Sequence, residues 1–310
     1  MLDEQFFREE VRDDFLVDSN RKQLWGKLLG ILESFISICE RHNLRYFAHG
    51  GTLLGAVRHK GFIPWDDDLD ILMPRMDYER FLKIASTELP THLSLVNSQN
   101  IVDYPYLLFS KINDDSTTFI TAHSNAFHMP HGISIDIFPM DGLPKAAAMR
   151  YRFVRAVTRC REFVDRLHYH YRWRSNWGQV RTVKAAVLFP VFWLARRIFS
   201  LQRCSRWLNG VLQWYDYDQS DAWRRWWRGI HDPTFDKHDF DQAVWLPFEH
   251  LRVRSPAGYD KYLRDLFGDY MALPPKEKRG MWHDVLIIDC EKPDSYYTPL
   301  SLPHGAEHVE

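Results

Sequence analysis

Apolar side chains recur at three- and four-residue spacing from Leu24 through Leu28, Ile31, Leu32 and Phe35 to Cys39. That is the period of a helix with one buried face, so the pattern predicts a helix over 21–42, with Asn43 as its stop. The short aromatic run Arg45-Tyr46-Phe47-Ala48 reads as a strand. Gly50-Gly51 breaks it, and a new helix starts in Thr52-Leu53-Leu54-Gly55-Ala56-Val57. After the basic loop Arg58-His59-Lys60-Gly61, Leu69 to Met73 reads as a strand that Pro74 ends, and residues 77–86 as a helix. Leu93–Val96, Tyr106–Ile112 and Thr117–Thr121 are candidate strands. Ile133–Phe138 is another, with Ile133, Ile135 and Ile137 alternating against Ser134, Asp136 and Phe138. Strands and helices interleave through 44–140, which predicts an α+β or mixed α/β domain.

Composition adds little to this until it is read locally. The 310 residues are 45% hydrophobic and 26% charged, an ordinary globular balance that excludes wholesale disorder. Forty basic against 41 acidic residues give a net charge of −1, which argues against a dedicated nucleic-acid binder. The balance is a cancellation. Tyr151–Gly210 holds thirteen Lys and Arg against Glu162 and Asp165, and eight of the twelve Trp lie between Trp173 and Trp227. This predicts three parts: a mixed α/β core over 21–145, a mostly helical, basic, Trp-rich insert over 146–230, and a C-terminal part over 231–292 that packs back on the core. Within the insert, residues 181–199 place eleven uncharged residues between Lys184 and Arg196-Arg197, broken by Pro190. The run is too short to span a bilayer and reads equally as a helix packed on the core or as a peripheral membrane contact. The four cysteines are dispersed without CxxC spacing, and the acidic N-terminus has no apolar signal region. Both point to a reducing compartment and a cytoplasmic location, at the inner face of the membrane if the 181–199 contact forms.

The candidate chemistry lies in Trp65-Asp66-Asp67-Asp68-Leu69-Asp70-Ile71. Alternation along a strand puts Asp68 and Asp70 on one face, and Asp66 with them if the strand begins early. Carboxylates so grouped repel one another, and a hard divalent cation is the usual compensation. An EF-hand reading fails, because its sixth position is Ile71 rather than Gly and its twelfth is Asp77 rather than Glu. Gly50-Gly51-Thr52, between a strand and a helix, lets backbone approach a phosphate closely. Asp136 sits mid-strand between Ile135 and Ile137, where an unpaired carboxylate is expensive. It is either outward-facing on an edge strand or a third carboxylate of the site.

The stretch from His49-Gly50-Gly51-Thr52 through Trp65-Asp66-Asp67-Asp68-Leu69-Asp70-Ile71 resembles the signature of the LicD family, which includes fukutin-type proteins. Ser134-Ile135-Asp136-Ile137-Phe138-Pro139 is similar to that family's second acidic strand. The block from Pro256 to Arg279, with His283 just after, is similar to its C-terminal block. The resemblance covers roughly 25–285 and implies a nucleotidyltransferase-like mixed sheet flanked by helices. It implies that Gly50 and Gly51 form the phosphate-side turn, that Asp68 and Asp70 are paired metal ligands extended by Asp66, and that Asp136 is the third carboxylate. It further implies transfer of a phospho-alcohol from a CDP-activated donor to a glycan hydroxyl, phosphocholine being the familiar bacterial cargo and ribitol phosphate the animal one. Acceptors would be cell-surface glycans of lipopolysaccharide, capsule or teichoic acid type, often lipid-linked. The dispersed cysteines offer no counterpart to the zinc site of fukutin-related proteins, and the Trp- and Arg-rich insert leaves the acceptor open.

On this reading Asp68, Asp70 and Asp136, with Asp66, hold one or two Mg²⁺ or Mn²⁺ ions that clamp the donor diphosphate. Asp136 holds the second ion or accepts the acceptor's proton. The amides of Gly50, Gly51 and Thr52 meet phosphate oxygens. Arg58, Lys60 and Lys111 are cationic candidates for the same phosphates, Lys111 being equally readable as a salt-bridge partner. His283 and Arg279 rest mainly on the C-terminal resemblance, while His49 and His59 read as structural or solvent-facing. The same carboxylates would serve a nucleotidyltransferase that releases diphosphate. A GT-A-type glycosyltransferase also uses a DxD, but normally places several strands before it.

Overall fold

A computed structural model of the chain describes residues 2–102, 104–168, 194–195, 197–226, 232–281 and 283–297. Strands β1 (Glu10–Arg12) and β2 (Phe15–Val17) form a hairpin around Asp13 and Asp14, whose φ of 50° and 58° suit a two-residue primed turn. Helix α1 (Ser19–Arg41) starts where the Asp18 carboxylate accepts a hydrogen bond from the Arg21 amide, and Asn43, at φ 50°, follows its end. Then come β3 (Phe47–Ala48), α2 (Gly50–Arg58), β4 (Asp70–Pro74), α3 (Arg75–Glu88), β5 (Leu93–Val96), β6 (Ser110–Asp114), β7 (Thr118–Thr121) and the long β8 (Ile133–Gly142). The described part of the basic region forms α4 (Ala147–His168) and α5 (Leu201–Leu212). The chain continues through β9 (Ala222–Arg224), β10 (Phe235–Asp236), the hairpin of β11 (Ala243–Phe248) and β12 (Leu251–Pro256), α6 (Tyr259–Phe267) and β13 (Val285–Asp289).

Strand β8 organises a seven-stranded mixed sheet. It runs parallel to β4 on one side and antiparallel to β6, while β9 pairs with its far end at Asp141 and Gly142. Strands β3, β5 and β10 extend the sheet antiparallel to β4, β6 and β9. Ile133, Ile135 and Ile137 are almost fully buried, whereas Ser134 and Asp136 are half-buried, so the predicted alternation holds over this stretch. Ile71, Leu72 and Met73 of β4 are buried whichever way they point, as expected for a strand covered on both faces. The apolar face of α1 closes the core, with Phe35 meeting Tyr46 and Phe81 of α3 edge-on at 5.2 and 5.1 Å. The architecture is α+β, in agreement with the pattern.

Two boundaries differ from the periodicity. The strand expected from Tyr106 begins only at Ser110, because Leu107 and Leu108 leave the sheet to join a second apolar cluster with α4 and α5. The second helix starts at Gly50 itself, in a left-handed conformation with φ of 51° that makes the chain turn directly into it. Residues 181–193 and 196 lie outside the described residues, so most of the 181–199 segment does too. Among the described residues no helix is long and apolar enough to cross a membrane.

The α4–α5 cluster is tied to the sheet by a buried ion pair. Arg75, at the start of α3, donates from Nε and Nη2 to the two oxygens of Asp141 on β8 at 2.6 and 2.8 Å, and from Nη1 to Asn209 of α5 at 3.1 Å. Asp141 is fully buried and Arg75 nearly so. Asp141→Ala should destabilise the protein by about 3–5 kcal/mol, since it strands a buried guanidinium. The Arg75→Met, Asp141→Leu double variant should recover much of that loss in denaturant titration; equal loss in both would show that the charges are not coupled.

Candidate functional site

The site is built where β4, β8 and the start of α2 converge. Parallel pairing puts Asp70 directly opposite Asp136, and the Asp136 amide donates to the Leu69 carbonyl at 2.9 Å. Strand β4 begins at Asp70, so Asp66, Asp67 and Asp68 lie in the segment leading into it. That segment is held from behind, where the Asp66 carbonyl accepts from Trp25 Nε1 and Arg21 Nη1, both at 3.1 Å. Trp25 in turn stacks on Phe62 at 4.6 Å.

Helix α2 presents its N-terminus to these acids, and its two glycines make the room. A Cβ on Gly50 would lie 2.7 Å from Asp70 Oδ2, and one on Gly51 would lie 2.2 Å from Asp66 Oδ2. No side chain fits at either position without displacing a carboxylate. The Thr52 hydroxyl accepts from the Asp70 amide at 2.8 Å, locking helix to strand. The helix N-terminus carries a partial positive charge that favours the acids around it.

That charge does not balance the cluster. Burial raises the Asp66 and Asp70 pKa values well above the usual carboxylate range, and neighbouring carboxylates add to it: Asp68, Asp67 and Asp70 for Asp66, and Asp68 and Asp136 for Asp70. Asp68 is raised to about 6 by burial and by Asp67 and Asp136, against the pull of His283. Asp136 has a cationic partner. Its Oδ1 accepts from Lys111 Nζ, directly across β6, at 2.5 Å, and that ammonium lies 5.0 Å from the Tyr106 ring. Burial opposes charge on Lys111, but Asp136 outweighs it and raises the Lys111 pKa.

The structure adds Asp67, which alternation had set aside. Asp67 is 2% exposed, its Oδ1 lies 3.0 Å from His283 Nδ1, and its Oδ2 has no hydrogen-bond partner among the described residues. One ligand atom each of Asp67, Asp68 and His283 lie within 4.8 Å of one another, and all three residues line a cleft with Lys111 and Asp136. Burial lowers the His283 pKa, but the hydrogen bond to Asp67 and the charges of Asp67 and Asp68 outweigh it and lift it to about 8. In sequence Asp67 is one acid in a run and its partner is 216 residues away, so nothing marked the pair. Arg225 carried no signal either. It hydrogen-bonds the buried His49, its charge bears on Asp70, and His49 Nδ1 meets the Tyr262 hydroxyl of α6 at 2.6 Å.

Other sequence candidates lie elsewhere. Arg58 is at the far end of α2, about 12 Å of helix rise from Gly50, and donates from Nη1 to the carbonyls of Tyr270 and Ala272 at 2.6 and 3.3 Å. Lys60 is exposed in the loop beyond it, at φ 57°. Both therefore lie on the loop side of α2 rather than at the carboxylates. His59 sits 2.9 Å from the Asp13 carboxylate, and Arg279 donates to the carbonyls of Pro274 and Asp13, both at 2.8 Å.

The repulsion has a measurable sign. A carboxyl whose folded pKa is raised stabilises the fold below its unfolded value near 4, and that contribution is lost as pH rises through the folded value, about 6 for Asp68. In chelator, Asp68→Asn should therefore raise stability at pH 7.5 by about 1–3 kcal/mol and leave it little changed at pH 4. Calorimetric melting across that range checks this; a lower melting temperature at pH 7.5 would contradict it.

A family model described as LicD/FKTN/FKRP, nucleotidyltransferase domain, matches residues 43–200. The lipopolysaccharide cholinephosphotransferase LicD of Haemophilus influenzae is 29% identical over 271 residues, which cover 82% of this chain and 92% of that protein. The ribitol 5-phosphate transferases FKRP of mouse and human are 47% identical over 36 residues, 12% of this chain and 7% of each of theirs. The matched span takes in β3, the glycine turn, the acidic segment and β8 and covers half of the chain, and on this ground the chain belongs to the LicD family.

Proposed function

We propose that the protein transfers a phospho-alcohol, phosphocholine in the first instance, from a CDP-activated donor to a hydroxyl of a cell-surface glycan such as lipopolysaccharide. The observation that carries this reading is the convergence of Asp66, Asp68 and Asp70 with Asp136, opposite the glycine-cleared N-terminus of α2. The near-full-length similarity to a lipopolysaccharide cholinephosphotransferase supports the substrate class.

The donor set suits a hard divalent cation, Mg²⁺ or Mn²⁺. It consists of carboxylate oxygens, and burial together with neighbouring carboxylates raises the pKa values of Asp66, Asp68 and Asp70. Asp66, Asp68, Asp70 and Asp136 would hold the ion, which would supply neutralisation of the diphosphate charge. The chain's own groups do the rest. The amides of Gly50, Gly51 and Thr52, at a helix start where amides have no intrahelical partner, offer hydrogen bonds to phosphate oxygens. Lys111 holds the Asp136 carboxylate in place through its hydrogen bond and adds positive charge on the cleft side. Transfer needs alignment of the acceptor oxygen with the phosphorus and the departing CMP more than covalent help from the protein. The nucleotide donor places the reaction on the cytoplasmic side, where a lipid-linked acceptor would bring the enzyme to the membrane surface.

Incubation with CDP-choline, a glycan acceptor and Mg²⁺ should release CMP and form a phosphodiester, both visible by ³¹P NMR. Diphosphate release instead would identify a nucleotidyltransferase. Asp68→Asn or Asp70→Asn should lower turnover by about 10³-fold or more while leaving the fold intact. Wild-type-like turnover in either variant would remove these residues from the chemistry. Gly51→Ala should cost activity similarly, because its methyl group would occupy the position of the Asp66 carboxylate.

A further inference from the structure

The acidic tract has a second side. Asp66 and Asp70 face the glycine turn of α2, whereas Asp67 faces His283, and Asp68 stands close enough to serve both. We propose that Asp67, Asp68 and His283 form a mixed nitrogen–oxygen site for a divalent transition ion, distinct from the all-carboxylate set of Asp66, Asp70 and Asp136 but sharing Asp68 with it. The proposal rests on the metal-dependent reading above and deepens it.

Three observations carry it. One ligand atom from each residue falls within a 4.8 Å span, and opposite ligands of a single divalent ion lie on the order of 4–5 Å apart. Asp67 is 2% exposed and lines the cleft, yet Oδ2 has no hydrogen-bond partner among the described residues. A buried, unpaired carboxylate oxygen is expensive, and a cation would relieve that cost. The third ligand is an imidazole. Mg²⁺ takes oxygen ligands almost exclusively, while imidazole suits first-row transition ions, so the site should discriminate between Mn²⁺ and Mg²⁺ where an all-carboxylate site would do so weakly. His283 comes from just before β13, which pairs with β7, so the site also links the C-terminal strand to the core.

The test uses the full-length protein and Mn²⁺ alone. Electron spin-echo spectroscopy of the Mn²⁺-loaded wild type should show ¹⁴N modulation from a directly bound nitrogen. His283→Gln should abolish that modulation and weaken Mn²⁺ binding about tenfold or more, while changing Mg²⁺ affinity less than about twofold. Asp67→Asn should weaken Mn²⁺ binding as well, and melting curves in chelator report whether each variant is folded. Mn²⁺ bound without ¹⁴N modulation in the wild type would overturn the proposal and leave the carboxylate site standing. The same modulation persisting in His283→Gln would overturn it too, by assigning the nitrogen elsewhere. No Mn²⁺ or Mg²⁺ binding at all would overturn both this proposal and the metal-dependent reading beneath it. The wild-type spectrum tests the proposal even if a variant fails to fold.

Discussion

Parallel pairing of β4 with β8 sets Asp70 against Asp136 at the entrance of the sheet. The arrangement is electrostatically unfavourable on its own, since two strands that pack well through Ile71, Leu72, Ile135 and Ile137 deliver carboxylates to one place at the same time. Much of the surrounding structure can be read as accommodation of that constraint. Gly50 and Gly51 remove two side chains that would collide with carboxylate oxygens. Lys111 supplies a cation from the opposite neighbour of β8, and the start of α2 supplies a partial positive charge. Trp25 and Arg21 grip the Asp66 carbonyl, so the acidic segment cannot swing out to solvent to relax.

The apolar framework makes this strain sustainable. Helix α1 contributes a continuous buried face, and Phe35, Tyr46 and Phe81 interlock behind β3 and β4. The basic helices α4 and α5 add a separate apolar cluster, joined to the sheet through Arg75 and Asp141 at the end of β8 opposite the acids. Charge is therefore segregated along one strand. Asp136 near its start belongs to the cleft, and Asp141 near its end belongs to the scaffold. The two aspartates differ in role because their partners differ. Lys111 leaves Asp136 half-buried beside the cleft, while Arg75 encloses Asp141 completely.

The family match spans residues 43–200, and the carboxylate cluster lies wholly within that span. His283, Tyr262 and Arg225 lie outside it, and they form the contacts that close the site from the C-terminal side. The cleft and its surroundings therefore draw residues both from the matched span and from beyond it.

The sequence by itself determined the α+β class, the first helix, the β4 and β8 strands and the identity of the acidic residues, because those features depend on local periodicity and on residues close together in the chain. It also marked Gly50 and Gly51, though not the reason for them, since the clash with Asp66 and Asp70 exists only once α2 has turned onto the strand. Tertiary structure alone decided three matters. Asp67 gained a partner because β13 brings His283 across 216 residues, and parity along a strand cannot apply to a residue that precedes the strand. Arg58 and Lys60 fell on the far side of α2 because nine residues of helix carry the chain away from its own N-terminus. Arg225 reached His49 from a basic segment in which no single arginine stood out. In each case long-range packing placed a charge that local pattern could count but could not locate.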